Sequence, residues 1–285
     1  MTAYGHASAS TVGEAVEAVQ ELVESGYRAV RVQCAVPGID DSYGTPYVSP
    51  VGDPAAGPFV ERGWDTSRYL GFVPGLFTAV REAVGFDVAL LHDAHHRLTP
   101  IEAGWLGRRL EDARLFWLED PVPAELQASY RVVRQHTTTP LAVGEVFNSV
   151  YDCEQLLREQ LIDYLRMAPV HGGGITALRK TAALAEPYHV RTACHGAADL
   201  SPVTMAAALH FGVATHNAAI QEYALHTPLQ HEVFPHSWRF ADGYLDPGNA
   251  PGLGVDIDED LAARFEYSRA YLPVSRRVDG SVGNW

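Results

Sequence analysis

Three acidic residues recur at one interval along the chain, and each closes a short apolar run typical of a β-strand. Asp93 closes DVALLHD, Glu119 closes LFWLE and Glu145 closes PLAVGE, so that 119 − 93 = 26 and 145 − 119 = 26. One strand–helix unit of a parallel α/β barrel has a similar length, and its strands all end at one mouth. The spacing therefore predicts that the three carboxylates converge at the C-terminal mouth of such a barrel.

A metal ion is the simplest reason for this convergence. Three neighbouring carboxylates repel one another unless a cation lies between them. A set of ligands made only of carboxylate oxygens favours a hard ion such as Mg²⁺. A single acidic residue at a strand end is as often a helix cap as a ligand. Three acidic residues at equal intervals favour metal binding by Asp93, Glu119 and Glu145.

The rest of the chain alternates between strand and helix patterns. Eight strands are predicted at 3–7, 27–33, 87–93, 115–119, 140–145, 162–167, 190–195 and 217–222. The first helix is predicted over 12–25, with a capping box formed by Thr11 and Glu14 and a stop at Gly26. The 285 residues fit one α/β barrel, which typically needs about 250 residues. We predict an α/β fold with a (β/α)₈-type barrel.

Two segments lie outside the repeating pattern. Residues 34–64 are rich in proline and glycine, and a connection of this length predicts a mobile lid loop. The tail is rich in aromatic and turn residues and is expected to fold back over the barrel mouth. The predicted organisation is a barrel over residues 1–228 and a C-terminal capping segment over 229–285.

Net charge and composition exclude several kinds of partner. The net charge of −14 argues against binding to nucleic acid or to anionic membranes, because both require a basic surface. No apolar run approaches the roughly 18 residues of a membrane span, and no signal peptide is recognisable. The three cysteines are scattered, so we expect a reduced, cytoplasmic protein. Lys180 is the only lysine and lies in a predicted outer helix, which nearly excludes a lysine base.

Other strand ends carry further candidate residues. Because side chains alternate along a strand, His95 should share a face with Asp93, and Arg31 should point the same way as Gln33. The last strands supply Arg166, His195 and Glu222, and a short loop places Asp199 four residues after His195. Arginines and histidines around a metal suit an anionic, hydroxyl-rich substrate. Alternatively, Arg166 and Glu222 neutralise each other inside the barrel.

Several segments together are specific for one protein family. They read RVQCAVPGIDDSYG, LLHDAHHRLTPIEA, FWLEDPVPAE, TTTPLAVGEVFNS, LIDYLRM, HGAADLSPVTMAAALHFG, IQEY and GLGVDIDE. Taken together they resemble the mannonate dehydratase branch of the enolase superfamily, and the likeness covers nearly the whole chain. The fold implied by this resemblance is the modified TIM barrel of that superfamily, with (β/α)₇β character.

The resemblance also implies roles for individual residues. One Mg²⁺ per subunit would be bound by Asp93, Glu119 and Glu145. Tyr43 in the lid loop would remove the proton α to the substrate carboxylate, with Arg31 beside it, and His95 would be the acid that helps the 3-hydroxyl leave. The residues expected to line the substrate pocket are His6, Arg166, His195, Asp199, Glu222 and Trp285. The expected reaction converts D-mannonate into 2-keto-3-deoxy-D-gluconate and water, and relatives commonly form homo-oligomers.

One feature of the family is missing from the sequence. Its members carry an N-terminal α+β capping domain, whereas this sequence begins at the first predicted barrel strand. We expect that domain to be absent from residues 1–285. A start placed too late would explain this better than a shortened, inactive form, because every catalytic position is still chemically suitable.

Three alternatives remain open at the level of sequence. The first is D-gluconate as the substrate of the same dehydration. The second is a sugar-acid-binding or regulatory protein that keeps the metal site with weak or no turnover. The third, a metal-dependent hydrolase, is weaker because the first strand offers only His6 as a metal ligand.

Overall fold

The structure is a computed structural model that describes residues 1–39, 61–196, 200–223, 226–267 and 274–283. Its strands within these ranges are β1 (Ala3–Ala9), β2 (Ala29–Cys34), β3 (Glu61–Trp64), β4 (Ala89–Asp93), β5 (Trp117–Glu119), β6 (Leu141–Val143), β7 (Tyr164–Leu165), β8 (Arg191–Thr192), β9 (Gln221–Glu222), β10 (Arg239–Ala241), β11 (Tyr244–Asp246) and β12 (Val274–Arg277).

The helices of the same ranges surround these strands. They are α1 (Val12–Glu24), α2 (Thr66–Val84), α3 (Pro100–Arg109), α4 (Tyr130–His136), α5 (Glu154–Arg158), α6 (Gly174–Ala185), α7 (Pro202–Val213), α8 (Pro228–Val233) and α9 (Glu259–Ala262). Helix α1 begins with the predicted capping box between Thr11 and Glu14. Among the described residues, no helix combines the length and apolar character needed to cross a membrane.

Eight of the described strands form one parallel sheet in the order β8-β7-β6-β5-β4-β2-β1-β9. The two edges meet where Thr192 N donates to Asn217 O and Ala219 N donates to Thr192 O, at 2.9 and 2.8 Å. The sheet therefore closes into a barrel, which confirms the predicted fold class. Each of its strands lies at a predicted position, although most are shorter than predicted.

Apolar side chains fill two separate layers. The larger core lies between sheet and helices and includes Val30, Leu90, Leu118 and Leu141. A smaller cluster fills the barrel interior and consists of Tyr4, Ala29, Leu91, Trp117, Ala142, Ala193 and Ile220. Because side chains alternate along each strand, neighbouring residues serve different layers. This explains why the strands are apolar on both faces.

The hairpin β10–β11 lies within the predicted C-terminal capping segment and pairs with the chain start, at the N-terminal end of β1. Covering of the barrel mouth by the segment 229–285 as a whole stays a prediction. Leu245 N donates to Met1 O and Ala3 N donates to Gly243 O, at 2.8 and 2.9 Å. Residues 1–3 offer backbone groups beyond the barrel sheet, and the hairpin satisfies them.

The predicted lid segment is bounded by strands on both sides. Strand β2 extends to Cys34, and β3 pairs in parallel with β12 from the end of the chain. Thus the last four residues of the predicted loop 34–64 belong to a strand. Residues 40–60 lie outside the described part of the chain.

Helices α3 and α4 approach each other closely at two glycines of α3. A Cβ added at Gly107 would lie 2.7 Å from Thr137 Cγ2, and one at Gly104 would lie 2.8 Å from His136 Cβ. Glycine at these positions lets the two helices pack without a clash. A third helical glycine, Gly71 in α2, has no atom within 4 Å of its added Cβ.

The crowding at Gly107 and the open space at Gly71 predict that a Gly→Ala substitution has opposite effects on stability at the two positions. Gly107→Ala should lower the free energy of unfolding, because overpacking costs about 1–3 kcal/mol and exceeds the gain in helix propensity. Gly71→Ala should raise it by about 0.5–1 kcal/mol, since alanine favours the helix and meets no neighbour. Urea denaturation of both variants measures the two effects. A Gly107→Ala protein as stable as Gly71→Ala would contradict the close packing.

Candidate active site at the barrel mouth

The alternation of the strands places most polar site residues in one layer. These residues lie two positions beyond the apolar barrel interior, towards the C-terminal strand ends. They are His6, Arg31, Asp93, Glu119, Arg166, His195 and Glu222, which follow Tyr4, Ala29, Leu91, Trp117, Tyr164, Ala193 and Ile220. The apolar layer therefore closes the bottom of the site, and the polar layer lies directly above it at the mouth.

Glu145 departs from this alternation because it lies three residues beyond Ala142. Gly144 turns the chain between them, with φ of 120°. A Cβ at Gly144 would lie 3.0 Å from Phe147 Cδ2 and 3.1 Å from Leu165 Cδ1. Only glycine therefore suits this position, and its turn brings the buried Glu145 carboxylate to the site.

Arg166 is the central cation of the layer and is completely buried. Its Nη1 donates to Glu119 Oε1 and to Tyr4 Oη, each at 2.9 Å. Both Nη atoms also bond the carboxylate of Glu222. The ion pair between Arg166 and Glu222 is therefore present.

The fields of these groups shift their pKa values in opposite directions. Burial alone would raise the pKa of Glu222, but Arg166 and His195 lower it well below its usual range. Burial raises the pKa of Glu119 well above its usual range, even though Arg166 opposes this shift. Arg166 thus keeps Glu222 ionised in this arrangement.

A second set of contacts surrounds the other oxygen of Glu222. His6 Nε2 lies 2.7 Å from Glu222 Oε1, and Arg31 Nη1 lies 3.6 Å from the same atom. Arg31 also reaches Asp93, with 3.4 Å between Nη1 and Oδ2. Burial and the charge of Arg31 lower the pKa of His6. Arg31 is consequently placed between two carboxylates at the edge of the site.

Histidines contact Glu145 from two directions. His95 Nε2 lies 3.4 Å from Glu145 Oε1, and His195 Nδ1 lies 3.4 Å from Glu145 Oε2. His195 Nδ1 also lies 3.2 Å from Glu222 Oε2. Burial lowers the pKa of His95, with Asp93 and Glu145 opposing the shift. For His195, burial acts downward, but Glu222 and Glu145 raise the pKa overall.

The site contains donor groups that could hold a divalent cation. Among the described residues, one ligand atom each from Asp93, His95 and Glu145 lie within 4.8 Å of one another, and the same holds for His96, Asp120 and Glu145. Within the same residues, the buried oxygen Glu145 Oε1 is approached by His95 and His96 only at 3.4 and 3.6 Å and meets no hydrogen-bond criterion. Buried carboxylate oxygens of this kind fit a hard cation.

Glu119 belongs to neither group in this structure. Its Oε1 accepts from Arg166 and its Oε2 accepts from Trp117 Nε1 at 3.0 Å. Metal ligation by Glu119 stays a prediction, and each of its oxygens keeps a second lone pair for a cation beside its hydrogen bond.

Of the predicted site residues, nine lie in the described ranges, and all nine converge at the mouth. These are His6, Arg31, Asp93, His95, Glu119, Glu145, Arg166, His195 and Glu222. The predicted base Tyr43 and the predicted substrate residues Asp199 and Trp285 lie outside the described residues.

Sequence reasoning missed Asp120, although it follows Glu119 directly. Simple alternation would turn Asp120 away from the site, but its φ of 35° breaks the strand geometry. Burial raises the pKa of Asp120 to about 7. Burial acts to lower the pKa of its neighbour His96, yet Asp120 and Glu145 raise that value to about 10. The sequence signal that could have identified Asp120 as a site residue was the pair Glu119-Asp120 at the end of a strand.

Comparison with known proteins identifies the family. The sequence profile described as enolase C-terminal domain-like matches residues 14–261. The chain belongs to this family. Within it, the chain is 58% identical over 283 residues to the D-mannonate dehydratase of Caulobacter sp. strain K31, covering 99% of this chain and 70% of that protein. It is also 52% identical over 284 residues to a D-galactonate dehydratase family member of Cellvibrio japonicus, with the same two coverages.

A solved structure supports the same family assignment. The crystal structure of an enolase from Pantoea ananatis, with bound D-gluconate and Mg, matches with a TM-score of 0.87 and 32% sequence identity. The match covers 100% of this chain and 71% of that chain. Both the superfamily and its barrel, as expected from the sequence, are thereby confirmed.

The burial of Arg166 predicts a large effect of its removal. Arg166→Met should lower the free energy of unfolding by about 3–5 kcal/mol, because it leaves buried carboxylates without their cation. Arg131→Met is the matched control, since Arg131 forms an exposed ion pair with Glu159. Its removal should have a far smaller effect. Chemical denaturation compares the two variants, and equal losses would contradict a central role for Arg166.

Proposed function

We propose that the protein is a Mg²⁺-dependent sugar-acid dehydratase that converts D-mannonate into 2-keto-3-deoxy-D-gluconate and water. The observation that carries this proposal is the converging layer of carboxylates, arginines and histidines in a chain so similar to a D-mannonate dehydratase. The reaction removes the proton at C2 and the hydroxyl at C3. It requires a base, an acid and a fixed positive charge beside the substrate carboxylate.

Asp93, Glu119 and Glu145 would hold one Mg²⁺ per subunit. The last residues of β4 and β5 are direct neighbours in the sheet, with Asp93 paired to Glu119. The backbone turn at Gly144 directs the side chain of Glu145 to the same end of the barrel. When bound there, the ion would supply positive charge that stabilises the substrate as its α-proton leaves.

Tyr43 is the proposed base, and Arg31 is the residue that activates it. A free phenol has a pKa of about 10, so a nearby permanent cation is needed to favour the phenolate. Arg31 supports this role because its guanidinium already stands at the edge of the site, between Asp93 and Glu222. Tyr43 would approach from the predicted lid loop and take the C2 proton.

His95 is the proposed acid. Its ring lies at the barrel mouth, with Nε2 3.4 Å from the carboxylate of Glu145, a proposed metal ligand. As the C3–O bond breaks, His95 would give its proton to the departing hydroxyl, which leaves as water. The resulting enol then converts to the 2-keto acid. The net change is the loss of one water molecule.

The remaining residues would shape the substrate pocket. His6, His195, Asp199, Glu222 and Trp285 are proposed to contact the sugar acid. Arg166 is buried and bonded to both Glu119 and Glu222, so it would act by positioning these carboxylates. A homo-oligomeric state and a cytoplasmic location stay predictions from the sequence.

D-gluconate is the second candidate substrate, favoured by the D-gluconate in the Pantoea ananatis structure. A product assay for 2-keto-3-deoxy acids, with Mg²⁺ and each sugar acid in turn, decides between the two. We expect faster turnover of D-mannonate. Tyr43→Phe and His95→Asn should each lower kcat by at least about 10²-fold, the usual contribution of a general acid or base.

His136→Asn is the control for the turnover experiment, since its ring contacts the Val132 carbonyl within α4. It should retain wild-type turnover. Absence of product from both sugar acids, together with normal Mg²⁺ binding, would contradict the dehydratase and favour the sugar-acid-binding alternative.

Metal binding can be tested without substrate. Asp93→Asn and Glu145→Gln should each weaken Mg²⁺ binding by at least tenfold, about 1.4 kcal/mol, because each removes a charged ligand. Titration calorimetry measures this loss. Glu17→Gln, on the exposed face of α1, should bind Mg²⁺ as the wild type does. Unchanged affinity in Glu145→Gln would contradict the proposed ligand set.

A further inference from the structure

His96 and Asp120 are buried polar residues that the proposed reaction does not use. His96 is 6% exposed and Asp120 is 1% exposed. Both lie close to the carboxylate of Glu145: one side-chain N or O atom from each of His96, Asp120 and Glu145 lies within 4.8 Å of the other two. Burying charged or polar side chains costs free energy unless they are paired or hydrogen-bonded, so the contacts of these two residues need an explanation.

The ring of His96 is held between a backbone group and two carboxylates. Its Nδ1 lies 3.2 Å from the Val122 carbonyl oxygen, which fixes the orientation of the ring. Its Nε2 then lies 3.6 Å from Glu145 Oε1 and 4.0 Å from Asp120 Oδ2. His96 therefore contacts the side chain of Glu145.

Asp120 reaches the backbone of the same segment. Its Oδ1 accepts from Gly144 N at 3.2 Å, one residue before Glu145. Its own N–H donates to Ala142 O at 2.8 Å, which anchors Asp120 to β6. Asp120 thus links the turn that presents Glu145 to the ring that contacts its carboxylate.

The backbone around His96 is in an unfavourable conformation. His95 and His96 have φ of 55° and 62°, in the left-handed region that non-glycine residues seldom adopt. Two hydrogen bonds hold this turn: His95 N donates to Asp93 Oδ1 and His96 N donates to Asp120 O, at 2.8 and 2.5 Å. Strained residues of this kind persist where the surrounding structure fixes them, often at functional sites.

We infer that His96 and Asp120 are positioning residues that hold the Glu145 carboxylate in the orientation required to bind the divalent cation. This inference rests on the proposed function, in which Glu145 is a metal ligand. Neither residue needs to touch the substrate. Loss of groups that orient metal ligands typically weakens metal binding by about 10–100-fold.

The test is Mg²⁺ titration calorimetry in the absence of substrate. His96→Asn and Asp120→Ala should each weaken Mg²⁺ binding by about 10–100-fold. Asp120→Asn should lose less, because its side-chain oxygen can still accept from Gly144 N. The control is His171→Asn, since the exposed His171 contacts Glu145 at its backbone oxygen, 3.1 Å from His171 Nδ1, rather than through the carboxylate. It should bind Mg²⁺ normally.

Turnover provides a second readout that a purely structural role would not move. Raising the Mg²⁺ concentration to saturation should restore most of the dehydratase rate of His96→Asn. Thermal unfolding shows whether each variant is folded, and Asp120→Asn replaces Asp120→Ala if the latter does not fold.

The outcomes separate this inference from the proposed function. Glu145→Gln with weak Mg²⁺ binding, beside His96→Asn and Asp120→Ala with wild-type affinity, would overturn the positioning role alone. Wild-type affinity in Glu145→Gln would overturn the metal assignment and this inference together. Weak binding in Glu145→Gln, His96→Asn and Asp120→Ala, with a smaller loss in Asp120→Asn and normal binding in His171→Asn, would support both.

Discussion

Repulsion between buried carboxylates at the barrel mouth is the constraint on which the arrangement of the site depends. The described acidic groups at this mouth are Asp93, Glu119, Asp120, Glu145 and Glu222. Arg166 compensates part of this charge by bonding Glu119 and Glu222, and Arg31 stands between two further oxygens. Carboxylates brought this close require fixed cations. Near Glu145 the side chains of His96 and His195 lie at 3.6 and 3.4 Å, and a divalent ion bound by the carboxylates would add further positive charge there.

The fold follows from regularities that are visible in the sequence. Equal spacing of Asp93, Glu119 and Glu145 predicted the barrel, because each interval is one strand–helix unit. The sequence also named Arg31 and Arg166 as candidate site residues on their strands, and both reach carboxylates of the site. Period-two patterns fix the direction of a side chain whenever the strand is regular, so these residues could be placed without a structure.

Residues at breaks in regular geometry were harder to predict. Asp120 and His96 join the site through left-handed backbone, which no periodic pattern encodes. Gly144 shifts the register by one residue and brings Glu145 inward. The hairpin β10–β11 pairs with residues 1–3 through backbone groups alone, so its composition gave no indication of which end of the barrel it covers. Long-range backbone pairing depends on the whole fold rather than on local sequence.

The central claim is that three carboxylates bind one cation, and a crystal structure with Mn²⁺ in place of Mg²⁺ tests it most directly, since both ions prefer oxygen ligands. Anomalous scattering then locates the ion. We expect one peak ligated by Asp93, Glu119 and Glu145. A peak ligated through His96 and Asp120, or a peak that Glu119 does not contact, would contradict this ligand set.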